Sequence, residues 1–280
     1  MTETLTMGQR RAGQATIEEL LRHHRQTRTR SLAARLFGRS PLSAQAAALH
    51  RDALAQIAVG GVLERLPPEW TVISAVPASH DAPAIEHVVV GPGGLFTLSC
   101  AVHTNRAVWV ADSILVVDRT TFGHIPEAVS QARRVTDLLG ERMLLPATAQ
   151  PVVAIVDAKR ITIRERPEQV LVLDARSLNS TLTNLPTILG AAELQEIRGI
   201  LNDPASWNRG MAEVKDADAN PDARARLDIL LAEFAALDSE ILIAEARRIG
   251  WKLAAYAVAI IAPIAAFPYL VDFITSLTAR

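Results

Sequence analysis

The spacing of apolar and polar positions changes period several times along the chain. Over residues 42–66, Leu49, Leu54, Ile57, Leu63 and Leu66 recur at roughly helical spacing in an alanine-rich background, and Pro67-Pro68 closes that helix. From Trp70 the period shortens. Short β-branched runs at 71–76, 85–90, 95–100, 107–110 and 114–117 predict strands, and Gly91-Pro92-Gly93-Gly94 predicts a tight turn between the second and third. Their close spacing predicts an antiparallel meander. Residues 125–140 return to helical period, with Ala128, Ala132, Val135, Leu138 and Leu139 on one face. The continuous apolar runs at 151–156 and 170–173 suit buried strands, with a short edge strand at 161–163 and helices at 177–185 and 191–201. The order of elements is that of a mixed α/β domain over 41–207.

Two further segments follow a polar linker at 208–221. Residues 222–249 form one long helix in which Leu227, Leu230, Phe234, Leu237, Ile241 and Ala244 alternate at three-four spacing. Two readings stay open: a short coiled-coil seam, or an amphipathic helix packed on its own domain. Residues 253–271 carry no charge and as a helix would be about 28 Å long, close to a hydrocarbon core of about 30 Å. Arg247, Arg248 and Lys252 precede this segment and Asp272 follows it, which predicts a single-pass transmembrane helix with the N-terminal domain on the cytoplasmic side. Its eight Leu, Ile, Val or Phe residues favour insertion by about 2 to 5 kcal/mol, and Pro263 and Pro268 oppose it.

Composition narrows the function classes. The 280 residues are 49% hydrophobic, with a formal net charge of −1, so the chain fills a core and is no wholesale polyanion binder. One cysteine, Cys100, excludes a disulfide framework and a cysteine-based metal site, and reads as a small buried hydrophobe. The basic arm at 1–40 is the exception to the neutral balance. Arg22, Arg25, Arg28 and Arg30 within it are candidate nucleic-acid contacts, beside the plainer reading of a solvated tail. Phosphate-binding, dinucleotide-binding and nucleophile-elbow motifs are absent from the sequence.

Three segments together carry a family resemblance: Val62-Leu63-Glu64-Arg65-Leu66-Pro67, then the run from Ile85-Glu86-His87 through Gly91-Pro92-Gly93-Gly94 to Leu95-Phe96, then Val108-Trp109-Val110. They resemble the nuclease-related domain, NERD. The resemblance implies a restriction-endonuclease-like α/β core, a central mixed sheet flanked by helices. It also implies a site of four parts: a glutamate on the first helix, an aspartate before the glycine turn, and an acid and a lysine one residue apart on the strand after it. Two such carboxylates would hold Mg²⁺ and the lysine would orient the attacking water.

This chain departs from that set. Gln56 falls at the first-helix position, Glu86 replaces the aspartate, and Ser99 and Ala101 stand where the acid and lysine belong. Glu86 is the only retained acid and the only catalytic candidate. Asp81, His87, His103 and Asp112 are nearby substitutes without ligand spacing. The expectation is therefore a domain without nuclease activity, without a metal or cofactor, acting as a nucleic-acid-binding or protein-interaction module at the cytoplasmic membrane face. Two alternatives remain at this point: an active Mg²⁺-dependent nuclease with unusual ligands around Glu86, and a structural membrane protein that self-associates through 222–249.

Overall fold

A computed structural model describes residues 7–26, 30–76, 84–145, 147–207 and 222–278, with the backbone alone at 9, 222, 223 and 264–278. The helices are α1 (Gln14–Arg25), α2 (Leu32–Leu36), α3 (Ala44–Leu63), α4 (His124–Gly140), α5 (Leu178–Thr183), α6 (Ala191–Asn202), α7 (Pro204–Trp207) and α8 (Asp222–Thr278). The strands are β1 (Thr71–Val76), β2 (Ile85–Gly91), β3 (Gly94–Val102), β4 (Ala107–Ala111), β5 (Ile114–Val117), β6 (Thr120–Phe122), β7 (Ala149–Val156), β8 (Arg160–Glu165) and β9 (Leu171–Asp174).

The strands form two sheets. The larger has the order β1-β2-β3-β7-β9, antiparallel through β1, β2 and β3 and parallel from β3 through β7 to β9. One face packs on α3, where Val59 and Leu63 meet Val89, Phe96, Leu98, Val152 and Ala154. The other face is covered by α4 and α6, whose Val135, Leu139 and Ile197 meet Ile73, Val88 and Val90. The β2–β3 hairpin turns where Gly91 lies under the indole of Trp70, so that a Cβ there would overlap the ring; Gly94 takes φ 130.

The second sheet, β6-β5-β4-β8, grows out of the first. β3 runs into β4 through Thr104-Asn105-Arg106, and β7 runs into β8 through Asp157-Ala158-Lys159. Both connections bend in the left-handed region, at Asn105 (φ 57) and Asp157 (φ 56), residue types that tolerate it. The Asn105 N–H donates to the Asp157 carbonyl at 2.8 Å and Thr104 bridges Ala158. Beyond the bend the two strands pair again, β4 parallel to β8.

Three expectations are corrected here. The restriction-endonuclease-like reading had one central mixed sheet; the strands divide between two, because hydrophobic period sets where a strand lies but not which sheet it joins. The separate stalk and transmembrane helices are one 57-residue helix, about 85 Å long. Among the described residues no helix is long and apolar enough to cross a membrane, so the membrane placement and the cytoplasmic orientation drawn from it fall. The physical reason lies in composition. Seven alanines in 253–271 add little transfer free energy, and Pro263 and Pro268 oppose insertion.

The seam of α8 is occupied within the chain. Phe234 and Leu237 are buried with Ile17, Leu20 and Leu21 of α1 and Ala46 and Ala53 of α3, and Leu230 and Ile241 pack at the margin. This is the amphipathic-helix reading rather than the coiled-coil one. The polar flank is tied down as well: Arg25 pairs with Glu233, Arg30 with Glu240, and His50 Nε2 lies 3.0 Å from Asp238 Oδ1. Further along, Arg247 donates to the Arg35 carbonyl at 3.2 Å and Trp251 Nε1 to the Leu36 carbonyl at 2.9 Å.

Candidate functional site

Glu86 sits where β2 and β3 part. Their ladder runs from Gly91↔Gly94 to His87↔Leu98 and stops there. Beyond that last pair the Glu86 carboxylate accepts the Cys100 N–H at 2.7 Å. On the other side Ala75, which faces Glu86 from β1, leaves the ladder with φ 53, and its carbonyl accepts from Arg10 Nε at 2.8 Å. The carboxylate thus repairs the sheet at a point where neither neighbour offers regular pairing.

The surroundings favour the neutral acid. Burial pushes the Glu86 carboxyl up to about 7; hydrogen bonds from Cys100 and Gln56 oppose this, and the nearby Asp52 charge adds to it. Asp52, one helical turn before Gln56 on α3, is itself shifted upward by loss of water, against the pull of Arg51 and His124. The Cys100 thiol is driven well above its ordinary value by burial and then by Glu86, which favours the protonated form.

The sequence-derived site does not assemble as a unit. Gln56 does meet Glu86, and its own Oε1 accepts from Thr16 of α1 at 3.0 Å. Ser99 turns to α4, donating to Gln131 Oε1 at 3.0 Å. Ala101 is fully buried among Val108, Ile125, Ala128 and Val153, on the same side as Ser99, as residues two apart on a strand must be. An apolar wall therefore stands where a lysine would have to reach solvent.

The other candidates lie apart from this carboxylate. His87 is buried, its Nδ1 2.9 Å from Ser74 Oγ, and burial lowers it to about 4 against a hydrogen bond with the Gln56 backbone. His103, also lowered by burial to about 4, packs its ring against Phe122 and His124. Asp112 is exposed in the turn between β4 and β5. Asp81 lies outside the described residues, as does Arg28 of the basic arm. Arg22 is exposed on α1, whereas Arg25 and Arg30 are taken up by carboxylates of α8. Trp109, from the third resembling segment, lies in the second sheet under Arg160 and Arg164.

Asp52, Thr16, Gln131 and His124 were not singled out from the sequence. Asp52 had a signal, its four-residue spacing from Gln56; the others meet the site only through tertiary packing. The donor set does not suit Mg²⁺, which takes several hard oxygen ligands in near-octahedral geometry. Among the described residues no group of three or more His, Cys, Asp or Glu side chains converges as metal ligands would.

Comparison with known proteins returned no matching family model, no matching curated protein and no matching solved structure. The nuclease-related terms drawn from the sequence therefore gain no support there.

Proposed function

We propose that this protein is a protein-interaction module that does not cleave nucleic acid, with the α/β domain serving to hold and present α8. The observation that carries this reading is the role of Glu86: the one acid that the sequence offered as catalytic satisfies the Cys100 N–H, with Ala101 buried where a catalytic cation would stand. Between protein and nucleic acid, the pairing of Arg25 with Glu233 and of Arg30 with Glu240 favours protein, because those guanidiniums already have carboxylate partners.

The interacting surface is the part of α8 beyond its clamp. From Leu253 to Ile261 the helix exposes Leu253, Tyr256, Val258, Ile260 and Ile261 together, an apolar patch of the kind that marks a contact surface. The partner tested first is a second copy of the chain. Sedimentation velocity on the full chain is expected to show concentration-dependent association that is lost when Leu253, Tyr256 and Ile260 become serine. A monomer at 100 µM together with submicromolar DNA or RNA binding by fluorescence anisotropy would overturn the choice of protein over nucleic acid.

A further inference from the structure

The paired bend from the first sheet into the second opens a cleft that the reading above does not use. It lies outside the carboxyl ends of the parallel strands β3, β7 and β9, the edge of an α/β sheet where ligands characteristically bind. Its volume is about 490 Å³, within the range of small-molecule sites. One wall is apolar, made by Ala58, Val59 and Val62 of α3. The opposite rim is polar and comes from three strand ends: Asn105 after β3, Asp157 and Lys159 after β7, and Asp174 with Arg176 at the end of β9.

This rim is preorganised. The left-handed backbone at Asn105 and Asp157 is locked by the Asn105 N–H to the Asp157 carbonyl (2.8 Å) and the Lys159 N–H to the Arg106 carbonyl (2.9 Å). Arg176 is oriented by Asp174, which accepts from its Nε at 2.9 Å and its Nη2 at 2.7 Å, while the guanidinium stays open to solvent. The Lys159 side chain is exposed and has no partner among the described residues.

We infer that this cleft binds a small organic phosphate of nucleoside-monophosphate size. Lys159 takes the phosphate as a mobile point charge, Asp157 accepts from hydroxyls of the ligand, and Ala58, Val59 and Val62 cover its apolar body. The inference stands on the cleft alone and is independent of what α8 contacts.

Isothermal titration of the full chain with adenosine 5′-monophosphate, adenosine and inorganic phosphate tests it. The monophosphate is expected to bind saturably, and both adenosine and phosphate at least tenfold more weakly. Lys159→Ala is expected to weaken monophosphate binding at least tenfold, Lys159→Arg no more than about threefold, and Val62→Trp, which fills the cleft, to abolish it. Circular dichroism and the thermal midpoint establish that each variant folds; Lys159 is exposed, so its variants keep the test decisive if Val62→Trp does not fold. Absence of saturable monophosphate binding up to 5 mM overturns the inference. So do binding unchanged by Lys159→Ala, adenosine binding as tight as the monophosphate, and phosphate binding as tight as the monophosphate.

Discussion

The carboxylate of Glu86 and the backbone N–H of Cys100 meet at 2.7 Å across the gap where β2 leaves β3. A side chain here supplies the acceptor for a strand N–H beyond the last β2–β3 pair, His87↔Leu98. Removing it by Glu86→Ala leaves a buried N–H without an acceptor, at a cost of about 1–3 kcal/mol. Glu86→Gln keeps an acceptor oxygen and is expected to recover most of that loss. Urea unfolding of the two variants at pH 7 checks the ordering.

The raised Glu86 carboxyl has a definite pH signature. Its folded value of about 7 lies above the ordinary 4.5, so between these limits the native protein holds a proton that the unfolded chain has released. Stability from this group therefore falls as pH rises from 4.5 to 7, by at most roughly 3 kcal/mol. Glu86→Gln removes that slope, so its stability relative to the natural chain should improve from pH 5 to about pH 7 and level off by pH 8. Thermal midpoints at four pH values in that interval measure the trend, and parallel curves would count against a raised carboxyl.

His87 and His103 act in the opposite sense. Burial lowers both from 6.5 to about 4, so below 6.5 the unfolded chain takes up protons that the native state refuses. Stability is lost as pH falls from 6.5 towards 4. His87→Asn, which keeps a polar partner for Ser74, is expected to reduce the proton uptake on unfolding at pH 5 by about one, read from the pH dependence of urea unfolding.

The clamp on α8 separates an intrachain seam from an intermolecular one. Leu237 is 5% exposed against α1 and α3, and Leu237→Ala is expected to destabilise the monomer by about 2–5 kcal/mol. Gly38 adds a second test. It has φ 68, and a Cβ there would overlap the backbone of Ala244 and Arg248, so Gly38→Ala should cost about 1–3 kcal/mol and loosen α2 from α8. Differential scanning fluorimetry and limited proteolysis of α8 read both. A Leu237→Ala variant with unchanged stability but altered mass would place the seam between chains.

Much of the fold was legible in the hydrophobic pattern. The strand at 71–76 and the helices near 44–63, 124–140 and 191–202 fall where period and turn residues place them. Helix α1 was harder to see, since Ile17, Leu20 and Leu21 are buried in a stretch whose arginines dominate the reading. The division into two sheets was not legible, because it turns on Asn105 and Asp157 bending together, a pairing between residues far apart in sequence. At the site, Glu86 was singled out through the family resemblance alone, and its bond to Cys100 depends on where two strands separate. The 253–271 segment misled because absence of charge outweighed its alanine content and its two prolines.

The central claim is that Glu86 repairs the sheet and takes no part in hydrolysis. It is tested most directly by incubating the full chain with single- and double-stranded DNA and RNA in Mg²⁺ or Mn²⁺, alongside Glu86→Gln. No cleavage by either protein, with Glu86→Gln folded and at least as stable at pH 8, is the predicted result. Metal-dependent cleavage by the natural chain that disappears in Glu86→Gln would contradict it.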